Sequence, residues 1–237
     1  MSQGLPLLTR LQRIIEASYD WRTGIRDLGP YLVGDEGYRT LYGDRGIVGL
    51  LPGADRVPRT LVTWRNGVLR LGVYYPNEMI RDLEERNPLF GVGEKNLIPF
   101  SLLVEELDHL LMLAWSARHG RVVRLMELEF HANITKYLVL AHFLARAEGR
   151  SRLSTGLRRG LDEFLFEGAG EDLPEPYRNR YQTAARLARR FLMVLERLAA
   201  PARLVALRRF SRRSWASQRY CLESTDAMLE DGLLVAA

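Results

Sequence analysis

All four histidines of the chain lie within residues 109–142, a stretch that also carries several glutamates. In the sequence VEELDHLL, Glu105 and His109 are four residues apart, and Glu127 and His131 repeat that spacing downstream. Residues four apart stack on one face of a helix. Carboxylates combined with imidazoles suit Zn, Fe or Mn as ligands. These four side chains therefore form a candidate metal site.

The second of these segments is apolar apart from two polar stripes. At the rotation of an α-helix, Glu127 and His131 fall on one stripe, and Glu129 and Lys136 fall on a second, nearly opposite one. A helix that is otherwise apolar all round is expected to be buried. Buried charges must be paired, hydrogen-bonded or metal-bound. The alternatives are a metal site and a satisfied core network in which Glu129 pairs with Lys136, and Glu127 with His131 or an arginine.

The elements that position these residues are predicted from hydrophobic periodicity and turn residues. Residues 5–17 have the spacing of an amphipathic helix, and residues 24–53 contain eight glycines and are expected to be an irregular segment of short strands and turns. Two alternating runs around Asn66-Gly67 predict a β-hairpin over residues 60–75. A helix over residues 77–85 and a loop over residues 87–99 follow.

Beyond residue 100 the pattern is helical. The predicted helices span residues 101–118, 122–147, 155–166, 176–199, 202–209 and a shorter piece at 224–229. Strands followed by a run of helices indicate an α+β fold, with an N-terminal helix and a small hairpin-containing sheet before a mostly helical C-terminal part. We expect one domain over residues 1–237, in which residues 1–100 are mixed and residues 101–237 are helical.

The motif EELDH gives the chain a likeness to a known family. The order of a hairpin, a helix with Glu105, Glu106 and His109, and a later helix with Glu127 and Glu129 resembles a compact zincin metallopeptidase. In that family one helix carries HExxH and a later helix supplies a third, acidic ligand. The resemblance implies that His109 is a ligand, Glu106 the general base, and Glu127 or Glu129 the third ligand. Glu105 stands where the family has its first histidine.

A second likeness covers more of the chain. From the hairpin to Tyr220 it is similar to bacterial proteins of uncharacterised activity that have a Glu-x-x-x-His helix followed by an ELE helix. Because the first zincin histidine is missing and no complete catalytic set is present, we expect a non-catalytic binding or adaptor protein on a zincin-like scaffold. The alternative is a metal-dependent hydrolase that uses Glu105, His109, Glu127 and His131. No cofactor is predicted, although Zn or another divalent metal would suit these residues.

The C-terminal helices are rich in arginine. Residues 178–219 contain 12 arginines and one acid, Glu196, and Arg186, Arg189, Arg190 and Arg197 share one face of the helix predicted over residues 176–199. Guanidinium groups bind oxyanions, so polyanion or nucleic-acid binding is a third alternative. We favour neutralisation by the acidic residues of 162–175, or a protein partner, because no nucleic-acid fold or stacking platform accompanies the charge.

Composition limits the remaining classes. The chain has 237 residues, a net charge of +5 and 47% hydrophobic residues, as expected for a globular protein. Its single cysteine, Cys221, forbids an internal disulfide. Neither a membrane span nor a signal peptide is evident, so the sequence predicts a cytoplasmic protein without membrane association.

Overall fold

The computed structural model describes residues 6–42 and 57–224. Its strands are β1 (Leu32–Val33), β2 (Arg59–Arg65) and β3 (Val68–Tyr74). Its helices are α1 (Leu7–Tyr19), α2 (Asp35–Tyr42), α3 (Asn77–Glu85), α4 (Glu94–Arg118), α5 (Leu125–Ala147), α6 (Thr155–Phe166), α7 (Tyr177–Leu195), α8 (Ala200–Ser211) and α9 (Trp215–Glu223). This mostly helical arrangement with one small sheet confirms the predicted α+β class.

The sheet has the strand order β1-β3-β2. The predicted hairpin is formed by β2 and β3, which pair antiparallel, and β1 pairs parallel with β3. Asn66 and Gly67 both have positive φ, 52° and 74°, as a two-residue hairpin turn requires. Helix α4 packs against β2 and β3, so Thr60 on β2 lies beside α4.

Helix α4 begins earlier than the sequence suggested, so the predicted loop over residues 87–99 is wrong in its last part. The helix starts at Glu94 and includes Pro99. The Gly93 amide donates to the Asn96 side chain at 2.9 Å, and that side chain donates to the carbonyl of Arg86 at 2.7 Å. These bonds fix the helix start. Pro99 lies in the second turn, where it removes one backbone hydrogen bond, and α4 continues through it to Arg118.

Residues 24–42 are more regular than predicted. They contain a short 3-10 turn, β1 and α2. The Tyr74 hydroxyl donates to the Asp35 carboxylate at 2.8 Å, and the Asp35 amide donates to the side chain of Asn77 at 3.2 Å. Helix α2 is therefore held by contacts from distant residues, which a local glycine count does not reveal. Residues 43–53 lie outside the described part.

The core is centred on α5, which contacts α4, α6 and α7. Phe130, Leu140 and Phe143 are buried along it, which confirms that this helix is buried on most sides. Gly120, with a φ of 62°, lies in the turn between α4 and α5. Helix α9 was not predicted, and the helix predicted at 224–229 lies beyond the described residues except for Ser224. No helix within residues 6–42 and 57–224 has the length and apolarity needed to cross a membrane.

Candidate metal centre

Three side chains between α4 and α5 come together as a group of potential metal ligands. One atom from each of Glu105, His109 and Glu129 lies within 4.8 Å of the other two. His109 and Glu129 are buried, and 13% of the Glu105 side chain is exposed. Glu105 and His109 are one turn apart on α4, and the antiparallel packing of α5 brings Glu129 opposite them. One imidazole and two carboxylates are a donor set found at zinc and related sites.

One ring nitrogen of His109 lacks a hydrogen-bond partner. Its Nε2 atom is buried and unpaired within the part of the chain that the structure describes. Oε2 of Glu129 lies 3.9 Å from this atom, which is too far for a hydrogen bond. Most buried polar side-chain atoms in proteins have a hydrogen-bond partner. The unpaired nitrogen therefore requires an explanation, and it is the atom through which a histidine can bind a metal.

Cations surround the two carboxylates. The Lys136 ammonium donates to Oε2 of Glu105 at 2.6 Å, and Nη2 of Arg180 lies 3.8 Å from Oε1 of Glu129. The Tyr181 hydroxyl also hydrogen-bonds to Glu129. The core-network alternative paired Lys136 with Glu129. In the structure Lys136 pairs with Glu105 instead. The charges of this cluster are largely balanced by residues of α5 and α7.

The electrostatics favour a charged imidazole when no metal is bound. Burial lowers the pKa of His109, but the neighbouring carboxylate of Glu106 and the charges of Glu129 and Glu105 outweigh it and raise the pKa to about 9. Burial raises the pKa of Glu105, but Lys136 and His109 bring it below its usual value. A metal at this site must therefore displace a proton from His109.

Glu106 occupies the other side of the His109 ring. Its Oε2 atom accepts a hydrogen bond from the Thr60 hydroxyl at 2.6 Å and lies 3.7 Å from Nδ1 of His109. Carboxylates that accept a hydrogen bond from this nitrogen fix the tautomer and the orientation of ligand histidines, and at 3.7 Å Glu106 faces the nitrogen as an ion-pair partner. Glu106 therefore faces the orienting nitrogen of the ring and not the Nε2 side, where Glu129 lies. Thr60 was missed by the sequence reasoning because β2 and α4 are far apart in the chain.

His131 belongs to a separate, fully buried network. Its Nδ1 atom lies 2.8 Å from the Asp108 carboxylate, which also accepts a hydrogen bond from the Thr135 hydroxyl at 2.6 Å. The Tyr19 hydroxyl is 2.8 Å from that of Thr135, and the imidazole stacks on Trp21 with ring centroids 4.8 Å apart. Asp108 has no exposed surface. This network ties α1 to the α4–α5 pair.

Glu127 is held by an arginine instead of by His131. It pairs with Arg121, which also donates to the carbonyls of Ser211 and Arg213 at 3.3 and 3.0 Å. Burial raises the pKa of Glu127, and Arg121 opposes that effect. Of the four predicted ligands, the structure therefore brings Glu105 and His109 together and places Glu127 and His131 in different networks. Glu129, the other third ligand implied by the zincin resemblance, takes the place beside His109.

The four arginines predicted to share a helical face fall into two groups, because α7 ends at Leu195 and not at residue 199 as predicted, and Arg197 lies beyond it. Arg186, Arg189 and Arg190 line a surface cleft of about 340 Å³, and Arg197 does not. Arg189 pairs with Asp162 of α6, which is one of the internal pairs expected from the sequence. Arg197 is exposed further along the chain.

Comparison with known proteins gives no information about this site. No family model, no curated protein and no solved structure matches this chain. What the cluster offers is an N/O donor set with one unpaired imidazole nitrogen, an orienting carboxylate behind the ring, and cations that compensate its acids. Such a site can bind a divalent metal ion.

Proposed function

We propose that the protein is a non-catalytic metal-binding protein that holds one divalent ion, Zn²⁺ or a similar metal, through Glu105, His109 and Glu129. The buried and unpaired Nε2 atom of His109, 3.9 Å from Glu129, is the observation that carries this proposal. A buried imidazole nitrogen beside two carboxylates gains a partner when a cation binds between them. In this proposal the metal links α4 to α5 and stiffens a binding or adaptor scaffold.

The ligand geometry fits after a small adjustment. Zinc ligands lie about 2.0–2.2 Å from the ion, which places them roughly 3.3 Å from one another in a tetrahedral site. The three candidate atoms lie within 4.8 Å of one another, so the longest of their separations must shorten by at most about 1.5 Å. Rotation of the two glutamate side chains supplies this movement. Lys136 bonds to Oε2 of Glu105, which leaves Oε1 for the metal.

The position of Glu106 favours binding over hydrolysis. In a zincin this residue would act as the general base and would have to reach a water molecule on the metal. Here its carboxylate accepts a hydrogen bond from Thr60 and faces Nδ1 of His109. That placement suits a residue that orients the imidazole. With Glu105 also in place of the first histidine, the zincin-like arrangement supports a metal site without peptidase activity.

Zinc titration of chelator-treated protein tests the proposal. Isothermal titration calorimetry should give one equivalent of Zn²⁺ for the native protein, at least tenfold weaker binding for His109→Gln and Glu129→Gln, and native affinity for His142→Gln. His142 is an exposed histidine of α5 and provides a matched control. Circular dichroism checks that each variant is folded. A native protein that binds no zinc, or a folded His109→Gln that binds it as well as the native protein does, would overturn the proposal.

An activity assay separates binding from hydrolysis. Zinc-loaded protein incubated with a mixed peptide library should leave the peptides intact, as followed by mass spectrometry. Cleavage that requires zinc and disappears in Glu106→Gln would replace the binding proposal with a metal-dependent hydrolase.

A further inference from the structure

The cleft on α7 has the size and lining of a site for a small ligand. It lies between the end of α6, the segment that follows it and α7, and its volume is about 340 Å³. Ligand pockets in proteins range from about 300 to 1,000 Å³. Arg186, Arg189 and Arg190 lie within about one turn of α7, so their guanidinium groups reach the same cleft.

The arginines of the cleft differ in the partners that they already have. Arg189 bonds to Asp162 through Nε and Nη2, and Glu171 also lines the cleft. Arg186 is exposed, and within residues 6–42 and 57–224 it has no ion-pair or hydrogen-bond partner. An incoming oxyanion would therefore meet Arg186 in solvent and Arg189 already oriented by Asp162.

The cleft also has apolar walls. Phe166 and Met193 line it, and Met193 is 58% exposed. A site lined by apolar side chains and a few polar groups binds ligands that have both parts. A bare ion would leave Met193 in water, whereas an apolar group attached to the anion would cover it.

The arginines around the cleft do not form a continuous row that could bind a nucleic-acid backbone. A polyanion needs a row of cations that follow its backbone. Several arginines of this region are used within the protein: Arg180 beside Glu129, Arg208 on the carbonyl of Ala17, and Arg212 on Asp20. Arg197 lies outside the cleft. The positive charge available to a ligand is therefore local.

We propose that this cleft binds a small phosphomonoester with an apolar substituent, whose phosphate contacts Arg186, Arg189 and Arg190 and whose apolar part covers Phe166 and Met193. The arginines prefer a phosphate to a carboxylate because it offers three oxygens and nearly two negative charges at neutral pH. The site is separate from the Glu105–His109–Glu129 cluster and does not depend on metal binding.

Phenyl phosphate is the probe for this proposal. In titrations at low salt followed by calorimetry, Arg186→Gln should weaken its binding at least fivefold, whereas Arg197→Gln should change it less than twofold. Both residues are exposed arginines, but Arg197 lies just beyond the end of α7 and Arg186 alone of the two lines the cleft. Thermal unfolding of both variants should match that of the native protein. No saturable binding by the native protein, or equal losses in the two variants, would overturn the proposal.

Two further ligands test the phosphate contact and the apolar contact separately. Inorganic phosphate should bind more weakly than phenyl phosphate, because it lacks the apolar group, and benzoate should also bind more weakly, because it carries a single charge on two oxygens. Benzoate that binds as tightly as phenyl phosphate would contradict the phosphate assignment. Inorganic phosphate that binds equally well would contradict the apolar contact. A short DNA duplex that binds more tightly than phenyl phosphate would replace the small ligand with a nucleic acid.

Discussion

The α4–α5 cluster and the α7 cleft both gather charged side chains, but they do so in different surroundings. Between α4 and α5, Glu105, His109 and Glu129 lie almost out of water, with Lys136 within hydrogen-bonding distance of Glu105. On α7, Arg186 is exposed to solvent. A buried charge that loses its partner is strongly destabilising, whereas an exposed pair contributes little. Substitutions should therefore affect stability in the first region and ligand binding in the second.

The largest expected effect is on the buried side of this comparison. Asp108→Ala removes the acceptor for His131 and Thr135 from a position without exposed surface. We expect it to lower the free energy of unfolding by about 3 kcal/mol or more. The matched change on α6, Asp162→Ala, removes the partly exposed partner of Arg189 and should cost less than about 1 kcal/mol. Urea denaturation measures both values, and equal losses would remove the contrast between the two regions.

A second test concerns the charge on His109 when metal is absent. Because its pKa is raised to about 9 in the folded protein from about 6.5 in the unfolded chain, its stabilising contribution is complete below pH 6.5 and is lost as the pH rises through 9. Urea denaturation in EDTA should give a free energy of unfolding that falls by about 1–3 kcal/mol over this window. The fall should be largely absent in His109→Gln.

The control for this pH dependence is the exposed His142. Partial desolvation by neighbouring atoms and the charges of Arg10 and Arg146 lower the pKa of His142, so it titrates below the window. His142→Gln should therefore keep the pH dependence of the native protein. A native protein whose stability is constant from pH 6.5 to 9 would show that His109 is not a charged member of this network.

A smaller effect is expected from the residue that supports Glu106. Thr60→Val removes the hydroxyl that donates to Glu106 while it leaves the three proposed metal ligands in place. Loss of such an indirect contact typically weakens metal binding by about 10-fold or more. Calorimetry should show weaker zinc binding in Thr60→Val and native binding in Thr63→Val, a change on the same strand. Unchanged affinity in Thr60→Val would mean that Glu106 does not orient His109.

The sequence predicted much of the α4–α5 pair because helical periodicity is a local property. It placed Glu105 and His109 on one face and indicated that α5 is buried. It took Glu127 and His131 as the ligands from α5, and only the zincin resemblance offered Glu129 as an alternative to Glu127. These residues are two apart on α5, so they point in very different directions, and the choice depends on how α5 is rotated against α4. That rotation is coupled to distant contacts, because Arg121, which holds Glu127, also donates to the carbonyls of Ser211 and Arg213.

The same reasoning explains what was missed elsewhere. Thr60 and Arg180 reach the cluster from β2 and α7, and neither carries a local signal of that role. Periodicity grouped Arg197 with Arg186, Arg189 and Arg190 on one face of the helix predicted over residues 176–199, but α7 ends at Leu195 and Arg197 lies beyond it. The cleft separates them, since its walls come from residues 166–171 as well as from α7. Patterns within one helix predicted which residues share a face, and contacts between elements determined which of them act together.

The smallest effect is expected for duplex DNA, which tests whether the α7 face acts as a general polyanion surface. If Arg186, Arg189, Arg190 and Arg197 each contact a phosphate, the logarithm of the affinity should fall with the logarithm of the salt concentration with a slope of about 3–4. Because Arg189 is held by Asp162 and Arg197 lies away from the cleft, we expect weak binding with a slope below about 2. This slope is measured by fluorescence anisotropy of a labelled duplex at salt concentrations from about 50 to 200 mM, the range over which phosphate contacts weaken. Arg197→Gln should change the affinity for the duplex less than about twofold. It removes at most one phosphate contact, and salt screens that contact because Arg197 is exposed. Tight binding with the steeper slope, reduced to a similar extent by Arg186→Gln and Arg197→Gln, would show that the exposed arginines act as one surface and that the cleft does not set them apart.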